Sequence, residues 1–219
     1  MTKFNPDEFL AGIRTAETTV TIFPRADIAG KLLAVEADLE LFPAEEEEGE
    51  EATLDAGSEK ADLIAKRDEY QDILRQTAVD FTLRAVDDDR VDELTKIARQ
   101  SCQEEADQAA KDAAGYAREE CRRAEVGDKN EIRDAVRRAA SSASNAVINR
   151  AVGFHVLAEA IVDEETGAPV FTVEQIKEFA GKIGARQLQN LREAFYDMSS
   201  SDPGDFVPKS KKPGATEEG

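Results

Sequence analysis

Two long runs of apolar residues, stepped by three and four and joined by a short turn, constrain this chain more than any other feature. Val91, Leu94, Ala98, Cys102, Ala106, Ala109, Ala113, Tyr116 and Ala124 make the first run. Ile132, Val136, Ala140, Ala143, Val147, Ala151, Phe154, Leu157 and Ile161 make the second. That spacing is the period of a helix with one buried face. With only Val126-Gly127 as a turn between them, the helices are expected to fold back on each other as an antiparallel hairpin. Alanine dominates the seam, so the backbones can approach closely, although each contact buries little area. Asp87-Asp88-Asp89 opens the first helix with negative charge at its positive end. Asp128, followed three residues later by Glu131, predicts a capping box for the second.

The flanking segments are shorter. Pro6 to Arg14 is a short amphipathic piece, and Thr18-Thr19-Val20-Thr21-Ile22-Phe23 is a β-branched strand ended by Pro24. Ile28, Leu32, Val35, Leu39 and Phe42 predict a one-faced helix over Ala26 to Phe42. Ala44 to Gly57 is a linker, and Ser58 is the expected N-cap of a helix over Glu59 to Gln76 whose inner side carries Leu63, Tyr70, Ile73 and Leu74. Val79, Phe81, Leu83 and Ala85 then alternate with Asp80, Thr82, Arg84 and Val86, a second strand. The two strands are expected to pair, with both intervening helices on one face and a right-handed crossover if the pairing is parallel. Asp163 to Gly167 is a turn and Pro169-Val170-Phe171 a short extended piece. Thr172 and Gln175 predict a capping box for a compact helix pair that breaks at Gly184. From Ser199 onward Ser, Pro, Gly, Lys and Glu predict a disordered tail. The expected fold is mainly α (α+β). A small two-stranded β unit with the acidic linker occupies 1–86, the hairpin 87–162, a C-terminal helix pair 163–198 and the tail 199–219.

The charge narrows the function classes. The 219 residues carry a formal net charge of −19. A surface this acidic repels phosphate and disfavours generic binding to nucleic acid or to anionic membranes. Seven of the excess negative charges lie in the linker, at Glu45 to Glu48, Glu50, Glu51 and Asp55, a block expected to stay solvated. Met1 to Glu8 lacks a basic stretch followed by an apolar run, so no signal peptide is expected. Ala151 to Val162 is the most apolar stretch and is too short to span a bilayer.

No constellation in the sequence calls for catalysis, a cofactor or a metal. His155 is the only histidine, flanked by Phe154 and Val156, and reads as a structural or partly exposed residue. Cys102 and Cys121 are nineteen residues apart. On one continuous helix that is roughly 28 Å, against the ~7 Å a disulfide allows, so both are expected as free thiols. Asp163, Glu165, Gly167 and Glu174 fall near positions of a calcium loop, but Ala168 stands where the sharp turn needs glycine. Ile176 to Phe195 has helix-turn-helix spacing, yet Arg186 and Arg192 on its second helix are offset by Glu193 and Asp197. The expectation is a non-enzyme with no catalytic, cofactor or metal residues, its partner-binding residues unknown.

A family resemblance adds to this reading. The order Glu17-Thr18-Thr19-Val20-Thr21-Ile22, then Arg25-Ala26-Asp27-Ile28, then an acidic linker, then Val79-Asp80-Phe81-Thr82-Leu83-Arg84-Ala85 resembles the tail assembly chaperones of long-tailed phages of actinobacteria. Ala158-Glu159-Ala160-Ile161-Val162 and Val170-Phe171-Thr172-Val173-Glu174-Gln175-Ile176 continue the resemblance, which spans about two-thirds of the chain. Phe23-Pro24 and Asp87-Asp88-Asp89 depart from the pattern, and the alanine-rich hairpin is longer than the family leads one to expect. The resemblance implies a non-catalytic factor in the host cytoplasm, absent from the finished virion. It would bind the tape measure protein, keep it soluble and help tail-tube protein polymerise around it. A longer frameshifted form of the same chain is a further implied partner, and Pro208-Lys209-Ser210-Lys211-Lys212-Pro213 is where lysine codons would allow slippage. The alternative is a structural virion component such as a head–tail connector or minor tail protein.

Overall fold

The computed structural model describes residue 5, residues 15–42 and residues 54–200. The leading segment at 6–14, most of the acidic linker and the tail from 201 onward lie outside the described residues. In chain order the elements are β1 (Glu17–Ile22), α1 (Ala26–Glu40), α2 (Leu54–Thr77), β2 (Val79–Arg84), α3 (Asp88–Ser101), α4 (Gln103–Arg123), α5 (Lys129–Ala160), β3 (Ile161–Val162), α6 (Val173–Ile183) and α7 (Ala185–Ser200). The protein is mainly helical, with one small antiparallel sheet.

The alternation of residues in β1 and β2 sets their pairing. They run antiparallel with Val20 opposite Phe81 and Ile22 opposite Val79, so Val20, Ile22, Phe81 and Leu83 share one face. The other face is polar: the Thr21 hydroxyl donates to Asp80 Oδ1 at 2.6 Å, and Arg84 pairs with Glu17 at 2.8 Å directly across the ladder. Being antiparallel, the strands need no crossover of fixed hand.

Two expectations about this unit change. The sheet has three strands in the order β1-β2-β3, because Ile161 and Val162 pair with Leu83 and Thr82 of β2. The periodicity that assigns Ile161 to a helix seam therefore overruns the helix end. Two β-branched residues there are better accommodated on a pleated edge. Nor do α1 and α2 cover the sheet. They pack on each other, and the cluster beneath the sheet draws no residue from either. It gathers Ile22, Leu83, Leu94, Leu157, Ile161, Ile176, Leu191 and Phe195, contributed by all three strands and by the later helices. The later helices, rather than the two that lie between the strands in sequence, take this face, which sequence adjacency does not foresee.

The start of α2 also differs: it begins at Leu54, five residues before the expected start, so Ser58 is an exposed residue inside the helix and caps nothing. At the other end of the chain α7 continues through Ser199 to Ser200.

The hairpin forms as the spacing requires, with α3 and α4 lying along α5. Its first arm is two helices, interrupted at Cys102, where φ is −112° and ψ 11°. Ala98, Cys102, Ala106, Val147 and Ala151 close the seam. Farther along α4 the seam passes through Ala113, Ala114 and Ala117, while Tyr116 and Ala124 face outward. A seam tight enough for alanine has no room for a tyrosine ring. The turn at the tip is a Schellman closure: Val126 N–H donates to Cys121 O and Glu125 N–H to Arg122 O, with Glu125 in the left-handed region at φ 51°. Asp128 caps α5 by accepting from Asn130 N–H rather than through the expected reciprocal box with Glu131. Thr172 and Gln175 do form the full capping box of α6, at 2.9 and 3.3 Å.

Polar clamps tie the C-terminal half to the sheet. The Gln187 side chain on α7 bonds both backbone groups of Phe23, accepting from its N–H at 2.6 Å and donating to its O at 2.8 Å. Phe23-Pro24 thus ends β1 against α7 rather than extending the ladder. Arg84 reaches over the turn after β3 and donates to Gly167 O at 3.0 Å. Gly167 has φ 68°, a conformation that favours glycine, and a Cβ there would lie 2.6 Å from Arg84 Nη1 and displace the guanidinium.

Candidate functional site

A concavity lined by the hairpin and the C-terminal helices lies where the two meet. It measures about 610 Å³, within the roughly 300–1,000 Å³ typical of ligand pockets. Val91 at the start of α3, Val156 and Leu157 on α5, and Phe195 and Tyr196 on α7 give it apolar walls. Asn149, Arg150 and Arg192 are its polar groups.

The residues of α5 create this shape. Where α5 meets α3 and α4, its seam is Val147 and Ala151 against small residues, and the helices run close. Toward its C-terminus Leu157 joins the large side chains under the sheet. Val152 touches both clusters and lines the cavity. The hollow therefore sits at the change from small-residue to large-residue packing, with α7 as its third wall.

Arg192 is the unusual group. Its Nε and Nη2 are buried and have no hydrogen-bond partner. Its guanidinium carbon sits 5.9 Å from the centroid of the Phe154 ring, a cation–π contact. It lies so close to α5 because residue 153 is glycine: a Cβ there would stand 3.2 Å from Nη2. A buried donor left unpaired costs about 1–3 kcal/mol. Arg150, exposed at the cavity, takes part in no ion pair among the described residues either.

A smaller hollow of about 170 Å³ beside β2 makes the contrast plain. Its two arginines are committed. Arg84 pairs with Glu17, and Arg90 holds Glu159 in a two-point pair with both distances 3.1 Å. The hydrogen bonds that Arg90 donates to Glu159 and Glu93 raise its pKa further above the ordinary value. That pair fixes α3 against α5.

The other residues singled out from the sequence are scattered. His155 is half-buried on α5; burial first, and then the nearby Lys177 charge, lower its pKa, while Glu174 opposes them. Cys102 is buried at the α3–α4 break and Cys121 half-buried on α4, both as free thiols. Asp163 accepts from the backbone N–H and the hydroxyl of Thr166, each at 2.8 Å, and these bonds hold its carboxylate pKa below the ordinary range. Its turn leads back to the bridge between Val162 and Pro169. Among the described residues no group of three or more His, Cys, Asp or Glu side chains could hold a metal ion, and no helix is long and apolar enough to cross a membrane. In the α6–α7 pair Ile176, Ile183, Leu191 and Phe195 are buried, and Arg192 is turned in toward Phe154 while Arg186 is exposed.

Sequence reasoning noticed Arg192 only as a basic residue on a recognition-like helix. The signal for its inward placement is faint: Phe154 beside Gly153 on one helix, and an arginine between Leu191 and Phe195 on another. Comparison with known protein families, with curated proteins and with solved structures found no match for this chain.

Proposed function

We propose that this chain is a non-catalytic tail assembly chaperone of a long-tailed phage. It binds the tape measure protein in the host cytoplasm, keeps that long helical client soluble, and helps the tail-tube protein polymerise around it. It needs no cofactor. A longer frameshifted form of the chain would share the β unit and the hairpin.

One observation carries the reading beyond local resemblance. Glu17–Ile22, Val79–Arg84 and Ile161–Val162, which lie far apart in the chain and belong to the segments resembling the family, are the three strands of a single sheet. Segments that resemble a family in order and also build one structural unit support common descent better than scattered short matches do. The physical chemistry is compatible with the role. Helical grooves suit helical clients, and a net charge of −19 keeps a complex with an apolar partner in solution.

Co-expression tests the proposal. With this chain present, its cognate tape measure protein is expected in the soluble fraction, and without it in the pellet. Equal partition in both cases would falsify the chaperone reading. Mass spectrometry of purified virions gives a second test, because stoichiometric presence of the chain would favour a structural virion component instead.

A further inference from the structure

We propose that the cavity between α3, α5 and α7 is a seat for a carboxylate carried on the apolar face of a partner helix, with Arg192 and Arg150 as its receptors. The occupant rests on the chaperone reading; the chemistry of the seat rests on the cavity itself.

Charge complementarity comes first. In a chain of net charge −19, Arg84 is taken up by Glu17 and Arg90 by Glu159, and the described arginines away from the cavity that pair with no acid are exposed. Arg192 and Arg150 both line the cavity and are taken up by none. The orphaned atoms of Arg192 are Nε and Nη2, the edge of a guanidinium that matches the two oxygens of a carboxylate. The ring of Phe154 and the bare backbone of Gly153 hold that edge against α5. A carboxylate docking in the cavity supplies the missing acceptor as that buried edge swings off α5 to meet it, and Arg150 at the exposed side adds a second positive charge.

Shape selects the carrier. The α5 residues that line the cavity run from Ala146 to Leu157 in steps of three and four, which is about 16 Å along the helix axis at 1.5 Å per residue. An elongated trough of that length, with Val91, Val156, Leu157, Phe195 and Tyr196 as apolar walls, fits three turns of an amphipathic helix better than a compact metabolite. The acid of such a segment would meet the arginines while apolar residues three and four positions away fill the trough. Tyr196, 67% exposed beside the cavity, has apolar surface to cover.

The test uses the full chain and two synthetic 20-residue amphipathic helices, identical except for one glutamate or glutamine in the middle of a leucine face. Fluorescence anisotropy is expected to give the glutamate peptide at least about tenfold tighter binding, the scale of a charge-assisted pair. That difference should vanish in Arg192→Gln with Arg150→Gln. Arg150→Gln alone alters only an exposed side chain, leaves folding intact by circular dichroism, and should remove part of the difference. Equal binding of the two peptides to the unaltered chain, no binding of either, or an undiminished difference in the double variant would overturn the site. Co-expression of the double variant separates the two proposals. If the unaltered chain solubilises the tape measure protein and the double variant does so equally well, the seat is wrong and the chaperone reading stands. If even the unaltered chain fails to solubilise it, the chaperone reading falls, and the peptide cycle still decides the carboxylate chemistry.

Discussion

The helix α5 belongs to two cores built on opposite principles. Over Val147 and Ala151 it meets Ala98, Cys102 and Ala106, where stability comes from close approach of backbones. From Val156 onward it meets Leu83, Leu94, Ile176 and Leu191, where stability comes from apolar area removed from water. The first core has little to lose by truncation and much to lose by enlargement. In the second the reverse holds. The cavity lies at the change of regime, so the feature most open to a ligand is a by-product of that contrast.

The sharpest way to break the comparison is to exchange the perturbations. Leu191 is fully buried, and Leu191→Ala should cost about 2–5 kcal/mol in urea unfolding, because it removes buried methyl groups and leaves a void. A loss under 1 kcal/mol would mean that the cluster under the sheet collapses freely and is not the large-residue core described. In the hairpin, Ala106 is 3% exposed, and Ala106→Leu should cost roughly 1–3 kcal/mol through overpacking. Tolerance of the leucine would show that α4 and α5 are not in close contact.

Two smaller effects sharpen the picture at its edges. Glu125 at the hairpin tip holds φ 51°, a region that costs an ordinary residue about 1–2 kcal/mol. Glu125→Gly should therefore raise stability, by roughly 0.5–1 kcal/mol after glycine's own entropic penalty. A thermal midpoint that stays put or falls would show that this turn carries no strain. The least effect is expected from His155, half-buried on α5. Its pKa lies below the ordinary 6.5 because burial and Lys177 disfavour the charged form, with Glu174 opposing. The unfolded chain therefore binds this proton more readily than the folded one. The contribution is present above pH 6.5 and is lost as the pH falls through the lowered value. Stability measured from pH 7 to pH 5 should fall more steeply for the unaltered chain than for His155→Gln, and identical slopes would remove His155 from the account.

The hairpin was legible because helical periodicity is local: nearly every seam residue of α5, from Ile132 to Leu157, is buried or half-buried as its spacing predicts. The C-terminal pair with its break at Gly184, and the capping box of Thr172 and Gln175, were legible for the same reason. The partners of the sheet were not. Local pattern marks Val20, Ile22, Phe81 and Leu83 as one-faced, but nothing in it says whether α1 and α2 or the distant α6 and α7 will cover that face. Ile161–Val162 was hidden because two residues are too few to show a period, and the helix pattern runs into them unbroken. Arg192 was misjudged for a related reason: its spacing puts it on a helix, and only packing decides that its guanidinium turns onto Phe154 over Gly153.

By itself, then, the sequence determined a mainly helical protein with a close-packed hairpin, a small β unit and a strongly acidic surface. These follow from the spacing, size and charge of residues near one another in the chain. The tertiary structure decided which helices cover the sheet, that a third strand joins it, and that two arginines are left facing an apolar trough without an acid. Those outcomes depend on contacts between residues more than thirty positions apart, where competing burials are settled by the shape of the whole chain.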